Sequence, residues 1–168
     1  MPNAGRRRFR EATDGDVECV VKLINEAFAP AERVLYDGPR IDASGVCQKQ
    51  TTGTFILENG PEGTIRGCVY VEIGADGGYF GLLAVSPACQ RQGIAQALIR
   101  EAESFAQARG CSVMEIKVVN HRQELFPFYC KAGYSVAGTE PFEYERLLVP
   151  SHFVVMRKEL AAASGRPC

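Results

Sequence analysis

The sequence predicts an α/β fold of the α+β kind, with one domain over residues 1–168 in which helices flank a mixed β-sheet. Three observations lead to this fold class. A chain of 168 residues has the size of one ordinary domain. Hydrophobic residues make up 46% of the chain and charged residues 23%, a globular composition that excludes intrinsic disorder. Segments with strand periodicity alternate with amphipathic helical segments in the order β-α-β-β-β-α-β-α-β-β.

A short strand and an amphipathic helix are expected at the start of the chain. Phe9–Ala12 is the strand candidate, and Thr13 follows as a helix N-cap. Asp16 stands three residues later, where its charge suits the positive end of a helix. One helical face then carries Val17, Val20, Val21, Ile24 and Phe28. The prolines, glycines and polar residues of 30–52 predict a broken or short helix with loops.

Three strands joined by two turns are expected next. Thr54–Glu58 and Ile65–Ile73 form a hairpin around the tight turn Asn59–Gly63. A second turn, Gly74–Gly78, leads into Tyr79–Val85. This last run is almost entirely apolar, which is typical of a central strand that is buried on both faces.

The second half of the chain alternates helices and strands. The expected elements are a helix over Ile94–Arg109, a strand over Val113–Val119, a short helix over Glu124–Ala132 and two last strands, Tyr134–Ala137 and His152–Arg157. Residues 161–168, which end in Cys168, are expected to form a loose tail.

Charge and cysteine usage narrow the classes of partner. Nineteen basic and twenty acidic residues give a net charge of −1, whereas a phosphate-backbone binder normally has a strong positive excess. We therefore expect no nucleic-acid partner, and we interpret Arg6–Arg8 as a basic lead-in to the first strand.

No apolar run approaches the roughly 20 residues of a membrane span, so no membrane partner is expected. Seven scattered cysteines without a C-x-x-C pair predict no zinc site and favour a reducing, cytoplasmic compartment.

An anion site is predicted where the apolar strand ends. A short glycine-bearing loop and a helix follow the strand, and the unpaired N–H groups of the first helical turn attract negative charge. Gly93 lets the backbone approach a phosphate closely, and Ala95 is small enough not to block it. The loop has neither the Gly-Lys-Ser/Thr of a Walker loop nor the three-glycine Rossmann spacing. Taken alone, Gly93 is better explained by a simple turn.

The wider sequence context distinguishes these alternatives. Gln90–Ala95, which reads Gln-Arg-Gln-Gly-Ile-Ala, resembles the Q/R-x-x-G-x-G/A signature of the GNAT superfamily of N-acetyltransferases. The preceding segment Tyr79–Pro87 is also similar to that family, and Asn120 with Leu125–Tyr134 resembles its second cofactor motif. The resemblance extends over residues 8–159. It implies an acyl-CoA-binding fold with a mixed, mostly antiparallel sheet and a splayed central strand pair.

Acetyl-CoA as cosubstrate, without a metal, is what the resemblance implies. The pantetheine arm would lie along backbone groups of the splayed strand, and the amide of Asn120 would hold it. The pyrophosphate would bind the N–H groups after Gln90, with Arg91 near the adenosine end. The implied cofactor-binding residues are Leu83, Ala84, Val85, Gln90, Arg91, Gln92, Gly93, Ile94, Ala95, Gln96, Asn120 and Tyr129.

Tyr129 occupies the position at which this family often places the general acid that protonates the departing thiolate. A thiol has a pKa of about 8.5 and a phenol a pKa near 10, so a well-aligned phenol can supply that proton. The alternative is that Tyr129 is a packing residue beside Phe126 and Phe128. For the oxyanion that forms during attack on the acetyl carbonyl, the backbone N–H of Val85 is our candidate donor.

The general base is a more open question. Glu72 ends the third strand and His152 begins the last one, so both are expected at the acceptor cleft as catalytic candidates. For each, a surface or packing role is the alternative. Tyr79 stands where some relatives carry a catalytic glutamate, so a matched carboxylate is absent. Deprotonation through water, without one essential base, is the further alternative.

The expected acceptor is a primary amine of a small molecule. A protein N-terminus or lysine is the enzymatic alternative, and a non-catalytic acyl-CoA-binding module is the alternative from another class. Loop 138–151 carries Glu140, Glu143 and Glu145 with Phe142 and Tyr144. Such a loop favours a cationic amine if it walls the acceptor site, and otherwise it is a solvated acidic loop. Segment 30–52 is the second expected wall. Homodimers are frequent among the relatives, so a homodimer is possible, although no residue requires one.

Overall fold

The computed structural model describes residues 7–161, which form seven strands and four α-helices. The strands are β1 (Arg8–Glu11), β2 (Gly53–Asn59), β3 (Ile65–Gly74), β4 (Gly77–Val85), β5 (Val113–Val119), β6 (Ser135–Pro141) and β7 (His152–Glu159). The helices are α1 (Val17–Glu32), α2 (Ala43–Gln50), α3 (Ile94–Gln107) and α4 (Leu125–Lys131). Single 3-10 turns lie at Asp14–Asp16, Pro61–Gly63 and Pro87–Cys89.

All seven strands belong to one sheet in the order β1-β2-β3-β4-β5-β7-β6. Neighbouring strands are antiparallel except β4 and β5, which are parallel. These two strands pair only where Gly78 faces Met114 and Tyr79 faces Glu115. Beyond Tyr79 they diverge, whereas β3 remains paired with β4 as far as Val85. The mixed, mostly antiparallel sheet with a splayed central pair is therefore confirmed.

Helices cover both faces of this sheet because successive side chains of a strand point to opposite sides. On one face, α3 and α4 pack against strand residues that include Ile56 of β2 and Val69 of β3. On the other face, α1 and α2 pack against residues that include Phe55 and Leu57. The gap between β4 and β5 thus lies between two separate hydrophobic cores, one on each side of the sheet.

The predicted N-cap of the first helix is confirmed at a 3-10 turn that leads into it. Thr13 is the N-cap of the turn Asp14–Asp16, and the Asp16 carboxylate accepts hydrogen bonds from the Thr13 N–H (2.8 Å) and from the Arg10 guanidinium; the α-helix itself begins at Val17. At the other end α1 passes through Pro30 and stops at Glu32. Proline lacks the N–H donor and its ring crowds the carbonyl four residues earlier, and the helix ends two residues after Pro30.

Segment 30–52 contains the predicted short helix. This is α2, whose N-cap Asp42 accepts a hydrogen bond from the Gly45 N–H at 2.7 Å. The strand bounds agree with the prediction to within two residues except for β6, which extends to Pro141 instead of ending at Ala137.

Some predictions fall wholly or partly outside the described chain. Arg6 and residues 162–168, with Cys168, lie outside the described residues. Within residues 7–161, the Ala161 carbonyl accepts a hydrogen bond from the Gln107 amide, and six cysteines are free thiols. None of the helices in residues 7–161 is long and apolar enough to span a membrane.

Candidate active site

A cavity of about 1120 Å³ occupies the gap between β4 and β5. Its walls include Phe80–Val85 from β4 and Ile116–Val119 from β5. Because β4 pairs with β5 only through Gly78 and Tyr79, the β5-facing backbone of residues 80–85 has no strand partner in the described chain. An unpaired strand edge presents N–H and C=O groups to which an extended ligand can bind as an added strand.

A β-bulge lies at the centre of this edge. Cys68 of β3 faces Ala84 and Tyr70 faces Gly81, so Leu82 and Leu83 together oppose one residue of β3. Leu82 has a φ of 49°, in the left-handed region that costs a non-glycine residue about 1–2 kcal/mol. Bulges bend a strand and increase its twist, and here the bend accompanies the divergence of β4 from β5. No signal in the sequence identified Leu82, because a leucine rarely adopts this conformation.

The loop after β4 borders the same cavity. Arg91 has a φ of 61° and Gly93 a φ of 75°, and α3 begins at the next residue. A Cβ at Gly93 would meet no atom closer than 3.5 Å, so the backbone angle, and not lack of space, favours glycine there. The cavity lining includes the predicted residues Gln90, Arg91, Gly93, Ile94, Ala95 and Gln96. The free N–H groups of the first turn of α3 therefore border the cavity.

Arg7 supports this loop from outside the cavity. Its guanidinium donates a hydrogen bond to the Gln92 carbonyl at 2.5 Å and lies 3.6 Å from the Glu58 carboxylate. Gln92 itself does not belong to the cavity lining among the described residues. The sequence indicated only a basic lead-in here, and a contact between residues 85 positions apart leaves no local signal.

Tyr129 lies on α4 and contributes to the cavity wall. Its ring packs against Phe80 and Phe128, with centroids 6.2 Å and 5.1 Å away. Within the described chain its hydroxyl has no hydrogen-bond partner, in contrast to Tyr70 and Tyr134, whose hydroxyls donate to carboxylates. Burial raises the pKa of the Tyr129 phenol above its ordinary value, so the group is neutral and retains its proton at neutral pH.

Three further predicted residues, Asn120, His152 and Glu72, lie outside the cavity lining among residues 7–161. The Asn120 side-chain oxygen accepts a hydrogen bond from the His152 N–H at 2.9 Å, and the Asn120 N–H donates to the His152 carbonyl at 3.0 Å. This reciprocal pair continues the β5–β7 ladder and leaves the His152 side chain exposed. Glu72 accepts a hydrogen bond from the Tyr70 hydroxyl at 2.9 Å. None of these three borders the cavity among residues 7–161, so their roles stay predictions.

Glu32 is a buried carboxylate that the sequence analysis did not single out. It lines the cavity at the end of α1 and accepts a hydrogen bond from the Tyr36 hydroxyl. Arg122 donates to it at 3.2 Å, and Arg40 lies 3.6 Å away. Within the described part of the chain it is the one carboxylate in the cavity wall. Lys49 of α2 lines the same region.

Loop 138–151 does not form the wall that an acidic rim requires. Glu140 pairs with Lys117 at 2.6 Å, and Glu143 and Glu145 are exposed. Its aromatic residues Phe142 and Tyr144 stack on each other and pack against Phe153 and Tyr36 beside the cavity. No residue of 138–151 belongs to the lining as far as the structure describes it, so the loop fits the solvated alternative. Residues 7–161 as a whole hold no cluster of three or more metal-ligating side chains.

Comparisons with known proteins agree with this architecture. The model of the acetyltransferase (GNAT) family matches residues 20–134. No curated protein matches the chain. Among solved structures, the ribosomal-protein-S18-alanine N-acetyltransferase from Escherichia coli is similar with a TM-score of 0.74 and 15% identity, over 97% of this chain and 99% of that one.

Some of the similar structures were determined with a cofactor. The PaiA N-acetyltransferase from Thermoplasma acidophilum, in complex with coenzyme A, has a TM-score of 0.72 and 18% identity, over 92% of this chain and 99% of that one. A phosphinothricin acetyltransferase from Sinorhizobium meliloti, in complex with acetyl-CoA, has a TM-score of 0.68 and 15% identity, over 96% and 93% of the two chains. At these identities the likeness concerns the fold.

Proposed function

The chain belongs to the acetyltransferase (GNAT) family, and from that premise we propose that it transfers an acetyl group directly from acetyl-CoA to the primary amine of a small molecule. One observation carries the proposal: an unpaired strand edge, a loop in which Arg91 and Gly93 have positive φ, and a helix N-terminus border one continuous cavity. An extended pantetheine arm needs the strand edge, and a pyrophosphate needs the loop and the helix N-terminus.

The cofactor end of the cavity is assigned to the loop and to β4. The pyrophosphate binds N–H groups between Arg91 and Gln96, and the pantetheine arm lies along Leu83, Ala84 and Val85. Backbone groups supply most of these contacts, so the side chains of the loop are free to vary except at Gly93, where the positive φ restricts the choice.

Two proton transfers accompany the reaction: the attacking amine loses a proton, and the departing sulfur gains one. The neutral amine attacks the thioester carbonyl, the C–N bond forms and the C–S bond breaks, and the sulfur leaves as a thiolate. We assign the Val85 N–H to the carbonyl oxygen as charge develops on it. The buried, hydrogen-bond-free hydroxyl of Tyr129 donates the proton to the sulfur.

Removal of the amine proton is assigned to water. Glu32, the one carboxylate in the wall among the described residues, is already engaged by Tyr36, Arg40 and Arg122, so partners from this chain occupy its oxygens. Glu72 and His152 remain candidate bases, and each requires a connecting water because neither borders the cavity as far as the structure describes it.

A thermal-shift series tests the cofactor assignment. Acetyl-CoA and CoA at 100 times their Kd stabilise the fold by about 2.7 kcal/mol, a rise in Tm of roughly 5–10 °C for a chain of this size. NADH, which also carries an adenosine and a pyrophosphate, serves as the control and gives no comparable rise. An acetyl-CoA-selective shift justifies a screen of amines by thiol release. The absence of any shift at millimolar acetyl-CoA contradicts the proposed function.

A further inference from the structure

Positive charge dominates the cavity wall. Among the described lining residues one side chain is acidic, Glu32, and five are basic, namely Arg40, Lys49, Arg91, Lys117 and Arg122. A cavity with walls of low dielectric concentrates the field of such charges. The excess therefore selects for negative charge somewhere in the bound ligands.

Three of the five cations are already accounted for. Lys117 pairs with Glu140 at 2.6 Å. Arg122 contacts two carboxylates, Glu32 at 3.2 Å and Glu124 at 2.6 Å. Arg91 lies in the loop before α3, where the proposed function places the phosphates of the cofactor.

Arg40 and Lys49 remain incompletely paired. The Arg40 Nε forms an ion pair with the Glu32 carboxylate at 3.6 Å, which is longer than a hydrogen bond, so this buried atom has no hydrogen-bond partner in the described chain. The Lys49 ammonium lies 4.7 Å from the centroid of the Tyr70 ring and has no ion pair within residues 7–161. A buried, unpaired N–H group on a cation raises the free energy of the empty site, and an anion that pairs with it lowers that free energy.

The two cations also influence each other. Burial, together with the nearby Arg40 charge, lowers the pKa of Lys49, while Glu72 opposes this shift more weakly. A second anion near both groups would offset their repulsion and stabilise the charged lysine.

Their position on the sheet separates these cations from the cofactor loop. Arg40 precedes α2 and Lys49 belongs to it, on the face of the sheet that α1 and α2 cover. Loop 90–96 and α3 lie on the opposite face. The cavity connects both faces through the gap beside β4, so a ligand at Arg40 and Lys49 approaches the thioester from the side opposite to the phosphates.

We propose that the acceptor carries a carboxylate, or an anionic group of comparable geometry, in addition to its amine, and that Arg40 and Lys49 bind this group. This inference rests on the proposed function and specifies its substrate class as an amino-acid-like small molecule. Arginine binds a carboxylate through parallel N–H donors, while lysine acts as a point charge beside it. The positive wall also disfavours the ammonium form of the acceptor and so increases the fraction of neutral amine available for attack.

Paired bisubstrate probes test the proposal whatever the identity of the acceptor. In each probe coenzyme A is joined through its sulfur and an acetyl bridge to the nitrogen of glycine, β-alanine or 4-aminobutyrate. Each probe is matched with the corresponding primary amide, which removes only the charge. Isothermal titration is expected to show that the best carboxylate probe binds at least tenfold more tightly than its amide.

Two variants assign the preference to residues. Lys49→Gln and Arg40→Gln should each reduce the carboxylate-to-amide ratio to about threefold or less, while the Kd for coenzyme A itself stays within twofold of the wild-type value. Lys22→Gln, on the exposed side of α1, is the matched control and should keep the full ratio. The unchanged affinity for coenzyme A reports that a variant is folded.

Each other result overturns a defined part of the account. Equal affinity for all three carboxylates and their amides overturns the substrate class while the proposed function stands. A preference that persists in both variants overturns the assignment to Arg40 and Lys49. A protein that binds no coenzyme A at all overturns the proposed function, and the acceptor inference with it.

Discussion

The two ends of the cleft are built in different ways. At the proposed cofactor end, a contiguous segment, residues 90–96, presents backbone N–H groups whose direction depends on two left-handed residues and a helix start. At the proposed acceptor end, side chains from α1, α2, the segment between them and the loop after β5 converge on the cavity: Phe28, Glu32, Arg40, Lys49 and Arg122. The first end consists of residues that are adjacent in the sequence, whereas the second consists of residues that only folding brings together.

This difference has a chemical consequence. Backbone N–H groups do not titrate and are insensitive to most substitutions, so the cofactor end suits a ligand that every family member shares. The proposed acceptor end depends on the charged side chains of Arg40 and Lys49, which single substitutions change, so it suits a ligand that differs between family members. The predictions below test whether the two ends respond separately.

Gly93→Val should have the largest effect. Valine at a φ of 75° costs about 2 kcal/mol, so the loop leaves its present conformation and the Kd for coenzyme A rises roughly 30-fold. Isothermal titration measures the change. Gly63→Val is the control, because Gly63 has a φ of 78° in the β2–β3 turn, so valine is similarly strained there, and it lies outside the cavity lining. An equal loss of affinity in both variants would show that instability, and not the loop, is responsible.

Tyr129→Phe should reduce kcat at least tenfold and leave the affinity for acetyl-CoA nearly unchanged. The substitution keeps the aromatic packing against Phe80 and Phe128 and removes only the proton donor. Steady-state kinetics of thiol release, with Tyr144→Phe in the exposed loop as the control, measure the effect. Turnover that matches the wild-type value would remove Tyr129 from the mechanism and leave it a packing residue.

A pH series should distinguish the two ends of the cleft. The pKa of Lys49 lies below its ordinary value in the folded protein, so the ammonium loses its proton as the pH rises through that lowered pKa. Affinity for the carboxylate probe should then fall toward the value of Lys49→Gln, which itself has no such step. The backbone N–H groups of the loop do not titrate, so their direct contribution to the affinity for coenzyme A should not change over the same pH range. Identical pH profiles for the wild type and Lys49→Gln would contradict the role of Lys49.

Arg7→Gln should have the smallest effect. It removes the hydrogen bond to the Gln92 carbonyl and loosens the loop, for which we expect about a threefold increase in the Kd for coenzyme A, or roughly 0.6 kcal/mol. Arg8→Gln, at the neighbouring exposed position of β1, is the control and should bind normally. If both variants bind like the wild type, the loop holds its conformation without Arg7.

The local structure of the proposed cofactor end was largely predictable from the sequence because its signals are local. A buried strand, a glycine and an amphipathic helix follow one another within 31 residues of chain from Tyr79 to Arg109, and each signal depends on neighbouring residues only. The splay of β4 from β5 came from the family resemblance, not from periodicity. The bulge at Leu82 had no sequence signal, since leucine has no preference for a positive φ.

The acceptor end was predictable only as a region. Segment 30–52 was expected as a wall, yet nothing in its composition indicates that Arg40 meets Glu32 while Arg122 approaches from a distance of 90 residues. The acidic loop 138–151 was the more visible feature, and the structure places it beside the cavity. Side-chain sites assembled from distant segments depend on tertiary packing, which sequence patterns do not reveal.

Hydrogen exchange with and without coenzyme A tests the central claim most directly, because that claim concerns backbone N–H groups. The account predicts that ligand slows exchange in residues 80–85 and 91–96, while the β1–β2 edge of the sheet exchanges as before. If coenzyme A binds and these two segments exchange at unchanged rates, the ligand lies elsewhere and the gap between β4 and β5 is not the cofactor site.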